Sequence, residues 1–314
     1  MSLHLKLQNG GKTYNEQIEF NVRNMRTEEI PQVMDIYKET EWHTGHDGIK
    51  KWHKLDPNAF KVAVTDDGQV LGVCCTVRLY EDLHYFGFYV VRKKFRGKGI
   101  GTKVWNACKE HIGNRNVGTN SVPEKIGIYQ TREQFVVHEE ELLIQENDTL
   151  DDIISPDKLI DSLPEDVILE TYQEAHLPSM YQYDFKVCGF NRELLLKLNC
   201  EEIETKTIVA FKNEECVGFG TIKRSCQDIP LVSPLYADDP NVAEAMLKQL
   251  MLSYPLKKGF YMATLFHNKE ANDMIKKIGC PPTYKLARLY RRKVPVIFSP
   301  EKVYGVFDVN LSPL

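Results

Sequence analysis

Apolar residues recur along the chain at two spacings, and the switches between them outline the elements. Glu19–Met25 alternates as a strand. Ile30, Val33, Met34, Ile36 and Tyr37 then fall at helical spacing, behind Thr27 as an N-cap and Pro31 near the first helical position. A short helix follows over 49–55, stopped by Pro57. Phe60–Thr65 and Val70–Leu79 read as strands joined by Asp66-Asp67-Gly68-Gln69, a hairpin turn. Tyr85–Val91 is a further strand. A helix runs from near Gly101 through Trp105 and Cys108 to about His111, with Gly113 as its C-terminal cap. Then come a strand over 116–122, a helix over 123–132 and a strand over 135–145. Glu146–Glu165 is acidic, contains Pro156 and Pro164, and reads as a linker. Residues 1–18 are polar and loosely held. The pattern gives a first domain over 1–150, a linker over 151–165 and a second domain over 166–314.

The stretch between the strand ending at Val91 and the helix at Gly101 carries the clearest chemistry. Gly97, Gly99 and Gly101 alternate with Lys98 and Ile100, behind Arg92, Lys93, Lys94 and Arg96. A glycine turn that opens a helix aims several backbone N–H groups at one point, and the helix dipole adds positive potential there. Such a site suits a phosphate or pyrophosphate. Thr102 stands where a dinucleotide fingerprint needs its third glycine, and no G-x-x-x-x-G-K-[ST] run exists. Arg96-Gly97-Lys98-Gly99-Ile100-Gly101 matches R/Q-x-x-G-x-G/A. With the apolar strand before it and the amphipathic helix after it, this resembles the acetyl-CoA pyrophosphate loop of the GNAT acetyltransferases.

The resemblance implies an α/β (α+β) fold of two tandem GNAT-like domains, each a twisted, mixed, largely antiparallel sheet flanked by helices. It implies acetyl-CoA as co-substrate, held by Arg96, Gly97, Lys98, Gly99, Ile100, Gly101 and Thr102, with Tyr89, Val90 and Val91 lining the acetyl group. On their own, Val90 and Val91 read only as core. The family places a tyrosine on the helix before a Gly-Phe pair, and Tyr129 is the candidate acid for the departing thiolate. Here Phe135 lies one residue late and Gln134 replaces the glycine, so the extra residue either sits in the turn or rotates the helix. Glu81, Asp82 and His84, around the start of the strand, are candidates for the base, or else a solvated hairpin. Glu41, Trp42 and Asp47 sit in the loop where the acceptor belongs, as ligands of an ammonium or as a polar loop with one anchoring tryptophan. The acidic run Glu139-Glu140-Glu141 is either an attractor of cationic amines or a solvated face.

The second half echoes the first. FKVAVTDDGQVLGV from Phe60 is answered by IVAFKNEECVGF from Ile208, which pairs Gly72 with Gly218. Gly72 to Phe135 and Gly218 to Cys280 span nearly equal lengths. Where the glycine loop should recur, the second copy has Leu235-Tyr236-Ala237-Asp238-Asp239-Pro240-Asn241, and Ile275 takes the place of Tyr129. Two carboxylates oppose a pyrophosphate, so this copy is expected neither to bind acetyl-CoA nor to catalyse. Tyr183-Asp184, Phe190-Asn191-Arg192, Pro234–Pro240 and Val303-Tyr304-Gly305 are similar to the YitH-like acetyltransferase domain that follows a standard GNAT domain in tandem proteins.

Composition narrows the setting. The 314 residues are 42% hydrophobic and 27% charged, with a net charge of −4, which argues against general nucleic-acid or membrane-surface binding. Eight cysteines are scattered without metal-ligand spacing, so reduced thiols and a cytoplasmic location are expected. The opening MSLHLKLQNGGKTYNEQ has no apolar core and does not read as a signal peptide. His43, His46 and His53 lack the spacing of a metal set, so no metal is expected. The expected activity is acetyl transfer to a primary amine of a small molecule. The alternatives are an acyl-CoA-binding sensor or scaffold without turnover, and a nucleotide-binding protein. The sequence is silent on the acceptor's identity and on oligomeric state.

Overall fold

The computed structural model describes residues 18–152, 154–255 and 258–314. Most of the polar N-terminal lead and the side chain of Glu141 lie outside the described residues. Strand β1 (Asn21–Asn24) passes through a 3-10 turn into helix α1 (Ile30–Lys38), with Pro31 in its first turn. Thr27 is not the cap. The Glu29 carboxylate takes the Arg26 backbone N–H at 2.8 Å and pairs with the Arg23 guanidinium at 2.6 Å. The α1 stripe of Ile30, Val33, Met34, Ile36 and Tyr37 is buried as its spacing predicts.

Next come α2 (Gly48–Leu55), β2 (Phe60–Val64), β3 (Val70–Tyr80), β4 (Leu83–Val91), α3 (Ile100–Ile112), β5 (Asn116–Ser121), α4 (Ile126–Glu133) and β6 (Val137–Thr149). The second half runs β7 (Val167–Thr171), α5 (Leu177–Cys188), α6 (Glu193–Cys200), β8 (Lys206–Lys212), β9 (Glu215–Arg224), β10 (Pro230–Ala237), α7 (Pro240–Ser253), β11 (Phe260–Leu265), α8 (Lys269–Lys277), β12 (Pro282–Tyr290) and β13 (Val303–Gly305).

The strands form one sheet in the order β1-β2-β3-β4-β5-β12-β6-β11-β10-β9-β8-β7, with β13 beside β10. This order is a palindrome of two copies. β1 to β5 answer β7 to β11, and β4–β5 and β10–β11 are the parallel pairs. Registers repeat as well: Ala63 faces Gly72 as Ala210 faces Gly218, and Gly72 faces Val91 as Gly218 faces Ala237.

The centre of the palindrome is an exchange. β6 leaves its own copy to pair with β11, β12 crosses over to pair with β5, and the two exchanged strands pair with each other. This corrects the linker reading of Glu146–Thr149. Those residues continue β6, because pairing on both sides satisfies their backbone and their polar side chains find partners: the Asn147 amide donates to Met262 O at 2.9 Å. Beyond Thr149 the segment is also anchored, since Ile154 and Leu159 are buried in the core beneath α7.

One sheet face carries α3 against β2–β4 and α7 with α8 against the second half, each over its own core. The other face has a common core that joins α1 and α2 to α5, α6 and the segment 303–314. Charged groups cross here too. Lys51 on α2 pairs with buried Glu202 at 2.8 Å, beside Lys223, whose pKa burial pulls down to about 8. No helix among the described residues is long and apolar enough to cross a membrane.

Candidate active site

A site begins where β4 parts from β5. The two pair only from Leu83 to Phe86, although β4 continues to Val91. Between Gly87 and Val90, β4 carries three steps against the two from Cys75 to Val73 on β3, a bulge at which Phe88 adopts φ +49°. The bulge turns Phe86 toward Trp105 on α3, with ring centroids 4.3 Å apart, and Phe88 toward Tyr37 on α1, at 4.7 Å. Beyond Phe86 the two strands diverge around a cavity of about 470 Å³. Its walls are β4 from Phe86 to Tyr89, α3 through Thr102, Trp105 and Lys109, β5 from Thr119 to Ser121, and α4 through Ile128 and Tyr129.

The glycine loop stands at the α3 end of this cavity. Gly97 and Gly99 hold φ of +79° and +77°, and a Cβ on either would meet nothing within 4 Å. Gly99 is the N-cap of α3, and no side chain among the described residues caps that helix, which leaves its first N–H groups without a side-chain partner there. Gly101 differs: a Cβ there would lie 2.8 Å from the Tyr89 hydroxyl, so Gly101 lets α3 pass beneath that ring. Arg96 turns back and donates from Nε to Val91 O at 3.0 Å, which ties the loop to the strand end. Arg92 pairs with Glu39 at 2.8 Å, while Lys93, Lys94 and Lys98 are exposed around the loop. Ile100 is core. An open cradle with uncapped helical donors and local positive charge fits an acyl-CoA pyrophosphate.

Tyr129 lines the cavity from α4. The late Phe135 does not rotate that helix. Gln134 takes the extra step in the left-handed region, φ +60°, so that Phe135 N–H still reaches Tyr129 O at 3.2 Å and its ring packs 5.8 Å from that of Tyr129. The second copy repeats this contact, with Cys280 N–H on Ile275 O at 3.2 Å, which makes Ile275 the counterpart of Tyr129.

The far end of the cavity is built across the copies. Trp42 and His43 come from the loop after α1, Glu146 from β6, Leu286 from β12, and Val309 and Asn310 from the last segment. That segment runs against the bulge, and a Cβ on Gly87 would lie 2.1 Å from Asn310 O. The Asn310 amide donates to His43 O at 2.9 Å, and the Asn120 amide to Val309 O at 2.8 Å. Glu146 accepts a 2.8 Å hydrogen bond from the Tyr261 hydroxyl, and burial raises its pKa. The His43 ring stacks on Tyr261 at 4.2 Å and puts Nε2 3.4 Å from Asp148. His43 is buried, and its Nδ1 has no hydrogen-bond partner among the described residues.

Not every sequence candidate reaches the cavity. Tyr89, Thr102, Trp42 and Tyr129 line it. Glu81 lies exposed in the β3–β4 turn, at the opposite end of β4 from the bulge, and Asp82 is in the same turn. His84 is buried 5.4 Å from the His111 ring, off the cavity. Glu41 takes φ +65° and faces solvent. Asp47 is buried at the start of α2 and bonds Lys50 at 2.5 Å. Glu139 and Glu140 lie on β6 outside the cavity lining. Glu146 and Asp148 escaped the sequence reading, which ends the strand at Gln145, while His43 is read there only as a histidine without metal spacing. The signal was there: Leu142, Ile144, Glu146 and Asp148 continue one strand face. Among the described residues, no group of three or more His, Cys, Asp or Glu is placed to hold a metal ion.

In the second copy, Asp239 caps α7, accepting from Asn241 N–H at 2.7 Å, and only Asp238 and Asp239 stand between the end of β10 and the helix start at Pro240. Asp238 is held by the Tyr183 hydroxyl at 3.0 Å and Lys302 at 2.8 Å.

Comparisons with known proteins agree with this geometry. Residues 25–122 match the model of the acetyltransferase (GNAT) family, and residues 180–305 match that of an acetyltransferase (GNAT) domain. The holothin acyltransferase of Pseudoalteromonas sp. (strain SANK 73390) is 24% identical over 256 residues, covering 81% of this chain and 82% of that protein. A putative acetyltransferase from Pyrococcus horikoshii shares the fold over 99% of both chains at a TM-score of 0.69 and 17% identity. A tandem GNAT protein from the clavulanic acid biosynthesis pathway does so over 88% of this chain and all of its own (100%), at a TM-score of 0.61 and 12% identity. With a GNAT match in each half and a palindromic sheet across both, the chain belongs to the GNAT acetyltransferases and is an acyltransferase of the tandem type.

Proposed function

We propose that the protein is an acetyl-CoA-dependent N-acetyltransferase that acetylates a primary amine of a small molecule. The observation that carries this reading is the open cradle at Gly97 and Gly99 leading into the cavity that holds Tyr129. The coenzyme supplies the acetyl thioester. The N–H groups at the start of α3 hold its pyrophosphate, and Lys93, Lys94 and Lys98 add charge at the rim. The bulged backbone of β4 polarises the thioester carbonyl. Tyr129 gives its proton to the departing sulfur.

We assign catalysis to residues 1–150 and a supporting role to 166–314, joined by the segment 151–165. The second copy has Asp238 and Asp239 in place of the cradle and Ile275 in place of the acid. Its work is to hold the acceptor end: Thr44 O accepts from Cys226 N–H at 2.8 Å, His46 N–H donates to Arg224 O at 2.8 Å, and Trp42 O accepts from the Gln227 amide at 3.2 Å. A cytoplasmic setting agrees with eight cysteines that are all free, most of them buried.

The test is CoA release from acetyl-CoA across a panel of primary amines, with an acetylated amine identified by mass. Turnover of at least one amine is expected. Tight acetyl-CoA binding with no turnover across the panel would instead point to an acyl-CoA sensor.

A further inference from the structure

Glu146 is the one carboxylate among the described residues that lines the cavity. It stands on the exchanged strand, with Trp42, His43, Leu286, Val309 and Asn310 around it, at the acceptor end rather than the glycine-loop end. Its Oε1 takes the Tyr261 hydroxyl at 2.8 Å. Two residues on, the same strand face carries Asp148, bonded to His43 Nε2 at 3.4 Å and with a side chain 22% exposed. Burying a carboxylate is costly, and the Tyr261 hydroxyl offsets only part of that cost.

We propose that Glu146 is the base of the reaction, and that the acceptor is an alkylamine that arrives protonated. This rests on the N-acetyltransferase reading above. An alkylammonium, with a pKa of about 10, has no lone pair to offer until it loses a proton. Glu146 takes that proton, and the neutral nitrogen attacks the thioester carbonyl carbon as the C–S bond breaks. The nitrogen gives up two protons in all. One balances the thiolate through Tyr129, and the other passes from Glu146 to solvent on the side of His43 and the partly exposed Asp148. Tyr261, His43 and Asp148 are positioning residues: the first orients the carboxylate, and the other two lead away from it. An arylamine is already neutral at pH 7 and makes no such demand on Glu146. Burial raises the Glu146 pKa, which brings a carboxylate nearer to the working range of a base at neutral pH.

The experiment compares wild type, Glu146→Gln and Tyr261→Phe in the full chain. Acetyl-CoA affinity and CoA release are measured over pH with a panel of primary alkylamines (phenethylamine, benzylamine, cadaverine) and of arylamines (aniline and its ring-substituted forms). The expected result is that Glu146→Gln lowers kcat for alkylamines about 100-fold or more while acetyl-CoA binding is unchanged and arylamine turnover falls far less. Tyr261→Phe is expected to move the acid limb of the alkylamine profile to higher pH, because the hydroxyl that favours the ionised carboxylate is gone. Full alkylamine activity in Glu146→Gln, or equal losses on both panels together with weaker acetyl-CoA binding, overturns the assignment while leaving the enzyme an N-acetyltransferase. Wild type that turns over neither panel overturns the amine reading and this inference with it.

Discussion

The Tyr261 hydroxyl donates a 2.8 Å hydrogen bond to Glu146, although the two residues lie 115 positions apart and belong to different copies of the repeat. The bond exists because β6 has left its own copy and lies beside β11, with Ala263 opposite Glu146 in register. A second copy that has no cradle of its own therefore orients a charge in the cavity of the first. The same exchange brings Leu286 of β12 into that cavity.

If Tyr129 protonates the departing thiolate, removing its hydroxyl alone should show in kcat. Tyr129→Phe keeps the ring that packs against Phe86 and Phe135 at 5.7 and 5.8 Å, so the fold is retained. Steady-state kinetics is expected to show kcat lower by about 100-fold or more, with acetyl-CoA affinity unchanged. An unchanged kcat places the acid elsewhere.

Gly87 tests whether the last segment is fixed against the bulge. A Cβ there meets Asn310 O at 2.1 Å, and neither backbone can yield without moving the segment that supplies Val309 and Asn310 to the cavity. Gly87→Ala is expected to cost about 1–3 kcal/mol, read as a lower Tm by calorimetry, together with a loss of turnover. A Tm equal to wild type means that the segment does not rest there.

The glycine loop is legible in the sequence because all its parts are neighbours: strand, basic turn, three glycines and helix follow one another from Val91 to Trp105. Tyr129 is legible from its distance to Phe135, and Gln134 absorbs the extra residue in a left-handed turn. The acceptor end is not legible, because its parts meet only through the exchange. Glu-Asn-Asp at 146–148 reads as a polar stop after Ile144, yet its side chains are paired by Tyr261, Met262 O and His43 from elsewhere in the chain. Glu81, His84 and Asp47 are polar residues near the right elements, but Glu81 and His84 lie toward the other end of β4 and Asp47 is held by Lys50, so none lines the cavity.

His84 links stability to pH. Burial, and then the neighbouring His111, lower its pKa from 6.5 to about 4, with Asp56 opposing and Arg115 and Arg78 adding slightly. Unfolding frees His84 to bind a proton at its ordinary pKa, so between about pH 6.5 and 4 the unfolded state holds more protons and stability falls as pH falls. At pH 5 the loss is on the order of 2 kcal/mol. His84→Leu is expected to lose less Tm than wild type between pH 7 and 5, in paired thermal melts. Parallel slopes would mean that His84 titrates normally in the folded protein.

Calorimetric titration with acetyl-CoA, reading the number bound per chain, bears most directly on the claim that the first copy holds the coenzyme and the second does not. A Cβ on Gly99 would meet no atom of the described residues within 4 Å, so Gly99→Asp projects a carboxylate into the open cradle. One acetyl-CoA per wild-type chain is expected, and none on Gly99→Asp, which stays folded with its Tm lowered only by the strain of an aspartate at φ +77°, about 1–2 kcal/mol. Two equivalents per chain, or one that survives Gly99→Asp, would contradict it.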